Sequence, residues 1–468
     1  MRLPKLCVMG SVALASALPN GAAMAQARTL QDALSAAYSN NPTLQTSRAQ
    51  LRATDEGVPQ ALAGWRPTVI VAGTAGYGFG ELTSSLLSNQ RSITSRLNRP
   101  IFTGLPTITQ PLYRGGATRA STNQADNRVF AQRGRLIATE QQVFTDSINA
   151  YVNVIQTQQL LQLNINNEQV LARQLQATND RFRVGEITRT DVAQAEAALA
   201  GARATRQTSE GNLQTARSTY RRFIGEMPDQ LVEPQPIKLP IKNQAEAVQL
   251  ASQNNPSVIA ALFDDAAARD AVDLAFSQLM PQVSVQASGG YTDGQQTVGQ
   301  RTVAAQAVLN VSVPLYQGGA EYSRVRQARQ TEQQNRKVVD DVRRQAIQSA
   351  AQSWETLTAA RSTIDSTRSQ IRANQIALEG VQREAIVGSR TTLDVLNAEQ
   401  ALLNSRVTLV QNLSNLVTAS YAVASAIGRL TARDLNLNVP MYDETAYYNA
   451  VRQRLFGVND YATGQPGR

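Results

Sequence analysis

The sequence predicts a mainly α-helical chain that carries a membrane β-barrel: an internally duplicated protein whose long antiparallel helices form a tunnel, with four strands per chain. Three observations predict it. A repeat of roughly 200 residues runs through the chain. Each copy contains a proline-free stretch of 67 residues, 117 to 183 and 320 to 386. Each copy also has a segment in which apolar residues recur at period two, while no run of about 18 apolar residues is present after the leader to make a transmembrane helix.

The duplication is read from punctuation. Asn40-Asn41-Pro42 recurs as Asn254-Asn255-Pro256, Pro67 as Pro281 and Gly76-Tyr77 as Gly290-Tyr291, all at a shift of 214. From there the shift is 203: Pro111-Leu112-Tyr113 with Gly115-Gly116 returns as Pro314-Leu315-Tyr316 with Gly318-Gly319. Val184-Gly185, Asp191, Glu196 and Gly225 return as Val387-Gly388, Asp394, Glu399 and Gly428 at the same spacing. One net change of length in the first half and none in the second implies that the second half is built from rigid elements of matched length. The expected organisation is a first repeat over 26–240 with strands in 68–113 and a long helical hairpin at 117–224. A second repeat covers 241–440, with strands in 282–315 and a hairpin at 320–427, and a tail occupies 441–468.

Within each copy a helix is expected over about 43–66 and 257–280, leading into the strands. The clearest strand is 303–315, where Val303, Ala305, Ala307, Leu309, Val311, Val313 and Leu315 alternate with small or polar residues. An earlier strand, 69–79, alternates Val69, Val71, Ala75, Tyr77 and Phe79 with threonine and glycine. Its partner, 98–112, is interrupted by prolines, which disfavour a central strand. Pro111 and Pro314 are expected to end strands, and the glycine pairs 115–116 and 318–319 to turn the chain from strand to helix.

The 67-residue stretches then read as single helices of about 100 Å. Phe144, Ile148, Tyr151 and Ile155 keep a helical phase in the first, as Ile347, Ala351 and Trp354 do in the second. A return helix, 188–224 in the first copy, spans only about 55 Å, and the helix leading into the strands has the length to fill the gap. Each chain would thus provide four columns and four strands. Four strands cannot close a barrel, and open edges are prohibitive in lipid. Closure needs several chains; three would give twelve strands and twelve columns, a size that encloses an aqueous lumen, although two or four are not excluded at this level.

Composition removes other classes of function. The chain has 468 residues, no His and one Cys. Arg2 and Lys5, the apolar stretch 6–18 and Ala23-Met24-Ala25 form the three parts of a secretory signal peptide, expected to be cleaved after Ala25. Cys7 falls inside it without the small residues of a lipoprotein cleavage site. The mature chain therefore offers no imidazole, no thiol and no zinc-type ligand set, so no catalytic residue, metal or cofactor is expected. The net charge of +9 comes from arginines scattered singly among Gln, Ala and Ser, unlike a nucleic-acid surface.

The duplicated helix-strand-strand-helix plan and the Pro-Leu-Tyr-x-Gly-Gly corners resemble the TolC family of trimeric outer-membrane efflux and secretion channels. So do Val184-Gly185-x-x-Thr188-x-x-Asp191 and Val387-Gly388-x-x-Thr391-x-x-Asp394. The resemblance covers about 29–455 and implies a homotrimer in outer-membrane lipid. It further implies an exit duct docked through a periplasmic adaptor onto an inner-membrane transporter of the RND or ABC type. Its cargo would be drugs, bile salts or proteins of a type I secretion system.

At the tips, Gly185 and Gly388 suit left-handed turn residues, and Thr188 with Asp191 and Thr391 with Asp394 suit capping boxes. The resemblance implies that Asp394 lines an acidic constriction and that Arg390 ties neighbouring helices shut, pairing with Thr190 or Asp191. Asn397 stands where a second acid is found in the family, and Ala385-Ile386 lack its latching tyrosine. Val184, Gly185, Thr188, Val387, Gly388 and Thr391 would form the adaptor-docking tip. Trp65 and Tyr77, near the expected bilayer edge, suit either interfacial aromatics or ordinary packing. The tail to about 456 is expected to pack around the middle of the tunnel, with a disordered end. A coiled-coil adhesin stalk and a soluble periplasmic scaffold are the competing readings; the antiparallel duplication and the lack of a head domain disfavour the first.

Overall fold

The computed structural model describes residues 29–85, 92–293 and 301–458. The expected signal peptide, Cys7 and the last ten residues of the tail lie outside them. The first repeat comprises α1 (Leu30–Asn40), α2 (Pro42–Asp55), α3 (Gly57–Leu62), β1 (Thr68–Ser85), β2 (Ser92–Arg114), α4 (Ala117–Arg183) and α5 (Arg189–Ile224). The second comprises α6 (Gln244–Asn254), α7 (Pro256–Phe276), β3 (Gln282–Asp293), β4 (Arg301–Ser312), α8 (Ala320–Ile386) and α9 (Thr392–Ala426). A short α10 (Ala446–Val451) lies in the tail.

The Asn-Pro steps show how the helices are divided. Asn41 ends α1 and begins α2: its side-chain oxygen accepts from the Thr43 and Leu44 amides at 2.9 and 3.4 Å, and Pro42 occupies the first helical position, where no donor is needed. Asn255-Pro256 repeats the arrangement between α6 and α7. The helices α1 and α6 were not expected from the sequence. Their signals are caps: a capping box of Thr29 with Asp32, and Asn243 accepting from the Glu246 amide at 2.8 Å. The helix expected over 43–66 is broken at Glu56, next to Gly57 and Pro59, whereas its counterpart α7 is continuous.

The long helices α4 and α8 are each 67 residues, or about 100 Å. Their return partners are about half as long, so α2 stacks on the end of α5 and α7 on the end of α9. The capping asparagines join the stacks: Asn41 Nδ2 donates to the Phe223 carbonyl at 3.0 Å, and Asn255 Nδ2 to the Ala426 carbonyl at 3.3 Å. These bonds use carbonyls that a helix end leaves unpaired. The columns stand side by side in the order α2 over α5, α4, α7 over α9, α8.

The four strands form one antiparallel sheet in the order β1-β2-β3-β4. Contrary to the sequence reading, the proline-bearing strand is the longest, 23 residues, and is central. Two of its prolines sit where pairing is relaxed: the β2–β3 pairing skips Leu105 and Pro106, and the register shifts between Pro111 and Tyr113. Pro111 therefore makes a bulge and does not end its strand, which runs on to Arg114. In the second copy β4 stops at Ser312, ahead of Pro314, where the sequence suggested 315. There the edge strand has no neighbour beyond it in the chain.

The register separates the two faces of the sheet. Val69, Val71, Ala75 and Tyr77 of β1 oppose Ile108, Pro106, Phe102 and Pro100 of β2. The same face continues through Tyr291, Ala287 and Val285 of β3 to Val303, Ala307 and Leu309 of β4. The other face is Thr68, Thr74, Thr103, Thr107 and Thr109, then Gln286, Ser288 and Thr292, then Thr302, Gln306 and Asn310. Between Val69 and Tyr77 and along their partners the first face is mainly apolar, whereas the second mixes Thr, Ser, Gln and Asn with Ile70, Leu105 and Val308; the Glu81–Arg96 and Asp293–Arg301 pairs lie at the far end of the first face. Among the described residues no helix is long and apolar enough to cross a membrane.

The main core lies where α1 and α2, the middle of α4, the end of α5 and the tail meet. Phe144, Ile148, Tyr151, Tyr220 and Ile224 are buried there, and Arg48 among them, 1% exposed. Its guanidinium stands 4.5 Å from the Tyr38 ring and 5.3 Å from the Tyr442 ring, and donates to the Tyr38 carbonyl at 3.1 Å. A buried cation is tolerated because its donors and flat faces are both occupied. Burial pushes the Tyr151 hydroxyl up to about 12, although it donates to the Val232 carbonyl at 2.6 Å.

Candidate functional site

Both hairpins turn at the same end of the chain, opposite the sheet, and the two tips share one geometry. Val184 closes α4, and Gly185 takes φ of 78°; Val387 closes α8, and Gly388 takes φ of 80°. Such positive φ favours glycine. The Glu186 amide reaches back to the Arg181 carbonyl and the Ser389 amide to the Glu384 carbonyl, both at 3.0 Å, which satisfies carbonyls at the helix ends. The return helices begin with capping boxes: Thr188 accepts from the Asp191 amide at 3.4 Å, and Thr391 from the Asp394 amide at 3.3 Å. Each aspartate in turn accepts from the amide of its threonine at 3.0 Å.

These bonds give Asp394 a defined charge state. The Thr391 backbone N–H holds its carboxyl below the usual range, followed by the Thr391 hydroxyl and, more weakly, the nearby Arg390 guanidinium. The group stays ionised well into the acid range. One of its oxygens is committed to the cap, so the residue is at once a helix start and an anionic surface group.

Arg390 is engaged differently from the expectation. Its Nε donates to Glu384 at 2.9 Å, across its own turn, and not to Thr190 or Asp191, which lie on the other hairpin. The first tip has a clasp with the charges reversed: Arg181 donates to Glu186 at 2.5 Å. Contact between the tips runs through Arg181, whose second bond goes to the Ala385 carbonyl at 3.4 Å, and through Leu396, which packs on Leu171 and Leu199. Nothing in the sequence pattern singles out Arg181, because its acceptor is a main-chain carbonyl 204 positions away.

Around the clasps, Val184, Ile386 and Val387 are each more than three-quarters exposed, and Thr190, Arg390 and Asn397 also face solvent. These exposed apolar residues are a candidate contact surface. Nearby, burial holds Glu399 above its ordinary value even though Gln382 donates to it at 3.3 Å.

At the opposite end, the strand-to-helix corners depend on their glycines. Gly115 and Gly116 have φ of 60° and 88°, and Gly318 and Gly319 of 73° and 83°. Gly115 is also sterically confined: a Cβ there would lie 2.6 Å from the Ser277 carbonyl, while one at Gly318 would meet nothing. Pro111 and Pro314 precede these corners, the first within β2 and the second past the end of β4.

The sequence profile of the outer membrane efflux protein family matches residues 33–226 and 247–429, one segment on each repeat. Outer membrane efflux protein BepC of Brucella suis is 33% identical over 456 residues, covering 97% of both chains. Outer membrane protein TolC of Escherichia coli is 25% identical over 436 residues, covering 88% of this chain and 84% of TolC. The crystal structure of VceC from Vibrio cholerae superposes with a TM-score of 0.72 at 22% identity, over 85% of this chain and 96% of that one, and so shares the fold. The duplication, the two-faced sheet and the helical hairpins are thus those of a known class of Gram-negative outer-membrane channels without enzymatic activity, and the chain belongs to the outer membrane efflux protein family.

Proposed function

We propose that three copies of this chain close a twelve-stranded barrel continuous with a twelve-column helical tunnel, and that this trimer is the exit duct of a tripartite efflux pump or type I secretion system. The observation that carries the reading is the four-stranded sheet with one mainly apolar face and one face enriched in Thr, Ser, Gln and Asn, ending in two open edges, β1 and β4. Strands of that character are stable in lipid only if neighbouring copies pair their edges, with the apolar face outward. The span from Val69 to Phe79 matches the 9–11 residues or so that a tilted membrane strand needs. Tyr77 at one end and Trp65 at the other stand where interfacial aromatics belong.

At the far end, three copies of Asp394 around the axis would make an anionic ring, selective for cations and open to block by a polyvalent cation. In this proposal Asn397 leaves the ring without a second tier of charge. The clasp of Arg390 to Glu384 stiffens its own turn, and Thr190 and Asp191 stand on the other hairpin, which Arg181 ties to the Ala385 carbonyl. The exposed Val184, Val387 and Ile386, on the turns fixed by Gly185, Thr188, Gly388 and Thr391, would receive a periplasmic adaptor. Through it the duct would meet an inner-membrane transporter of the RND or ABC type. Drugs and bile salts are the cargo of the efflux reading; exported proteins are the cargo of the secretion reading.

The test is planar-bilayer conductance of the purified protein, with its mass measured in the same detergent preparation. Small cation-selective steps from a trimer support the duct. A monomer without conductance would replace it with the periplasmic scaffold. Asp394→Asn should reduce cation selectivity and multivalent-cation block; unchanged selectivity and block would remove Asp394 from the constriction.

A further inference from the structure

We propose that the tail segment from Arg452 to Val458 is an interfacial anchor, lying in the phospholipid leaflet at the periplasmic rim of the barrel. The proposal rests on the barrel reading above.

The path of the tail places this segment. After α9 the chain runs along α4 toward the strands, and its tethers mark the route. The Ala432 amide donates to Glu140 at 2.6 Å, the Tyr448 hydroxyl to Asp126 at 2.8 Å, and Arg66 Nη1 to the Arg454 carbonyl at 2.9 Å. Each successive partner lies closer to the sheet, and Arg66 is two residues from the start of β1. The tail therefore extends beyond the middle of the tunnel, where the sequence placed it, and ends at the rim of the strands.

Its character changes on arrival. Tyr447 and Val451 are buried against the helices, but Leu455, Phe456 and Val458 are 70%, 87% and 100% exposed. They are displayed, not merely left over: Arg454 Nε donates to the Phe456 carbonyl at 3.2 Å, and Gly457 turns the chain with φ of 102°.

The surroundings identify the occupant. Gln110, which shares the apolar face of β2 with Ile108, donates to the Trp65 carbonyl at 3.0 Å. Trp65, Val69 and Tyr113, all half or more exposed or nearly so, make the lower border of the apolar face. The apolar end of the tail is tied to Arg66, the residue after Trp65, and so continues that border. Arg66 and Arg454 stand just behind it, while Arg452 is turned back onto Asp126 at 3.5 Å and the Tyr448 ring. Basic residues followed by an exposed Leu-Phe pair suit a headgroup layer, with apolar groups reaching the acyl chains and cations at the phosphates.

The test uses the signal-cleaved protein, in which no native cysteine is left, with a single nitroxide at Phe456→Cys or Leu455→Cys, reconstituted into phosphatidylethanolamine and phosphatidylglycerol vesicles. Collisional access to oxygen and to a water-soluble nickel complex is then measured, with Leu309→Cys as the lipid-face reference and Ser389→Cys as the exposed-tip reference. We expect both tail labels to match Leu309→Cys, with nickel access several-fold below that at the tip. Nickel access equal to the tip would overturn the anchor, and exclusion of both reagents would assign the segment to a neighbouring subunit or a protein partner instead. A Leu309→Cys label open to nickel would fail the barrel itself, an outcome distinct from failure of the tail labels alone.

Discussion

The two long hairpins have the same length and tip geometry, yet they are packed unequally. In α4, Phe144, Ile148 and Tyr151 are at most 1% exposed. The residues in the same phase of α8, Ile347, Ala351 and Trp354, are only partly buried. The difference lies in what covers each helix. α1, α2, the linker around Val232 and the tail all pack on α4, while α8 is covered by α6, the stacked α7 and α9, and the linker residues Leu239 and Ile241. Duplication supplied two equal frames, and the additions at the first frame turned one into the stability centre. The lightly covered α8 stands at one lateral edge of the chain, where the proposed trimer requires a neighbour.

The largest expected effect breaks this comparison at its core. Phe144→Ala should cost about 3–5 kcal/mol, the range for a buried aromatic, whereas Ile347→Ala in the half-covered counterpart should cost about 1 kcal/mol. Denaturant unfolding of the two variants would show it, and equal losses would mean that α8 is as buried as α4 in the assembled protein. A second contrast lies at the corners. Gly115→Ala combines a positive φ with a clash against the Ser277 carbonyl and should destabilise by several kcal/mol. Gly318→Ala meets open space and should cost only about 1 kcal/mol of backbone strain. Thermal melting of the trimer distinguishes them.

A third contrast concerns pH. Asp55, at the end of α2, is fully buried, neither of its oxygens has a hydrogen-bond partner, and burial pushes its pKa up to about 7 against the opposing charge of Arg133. A carboxyl whose folded pKa is raised keeps its proton in the folded state while the unfolded chain has lost it. Its stabilising protonation is therefore complete below about pH 4 and is lost as pH rises to about 7. Asp55→Asn should raise the melting midpoint at pH 8, flatten its fall between pH 4 and 7, and leave it almost unchanged at pH 4. Glu140, also raised by burial, contributes a slope of the same sign, so the flattening should be partial. The smallest effect should fall equally on the two copies: Thr188→Ala and Thr391→Ala each remove one cap and should cost about 1 kcal/mol. Faster amide hydrogen exchange confined to the first turns of α5 and α9 is the expected signature.

The duplication, the bounds of α4 and α8 and both capping boxes were legible because each depends on residues within one or two helical turns. The two faces of β1 and β4 were legible for the same reason, since alternation along a strand needs no partner to be seen. The candidate tip is therefore visible as a sequence motif. What the sequence did not disclose depends on residues far apart along the chain. The proline-rich β2 is central only because two of its prolines coincide with a gap and a bulge in its pairing with β3. Arg390 finds Glu384 across its own turn, while Arg181 finds a carbonyl on the other hairpin. The tail reaches the strand rim because Asp126 and Arg66, hundreds of positions away, hold it there. The sequence by itself determined the lengths and periodicities from which the protein is built; tertiary structure alone decided which side chains meet, because distant groups become partners only once the helices and strands have packed.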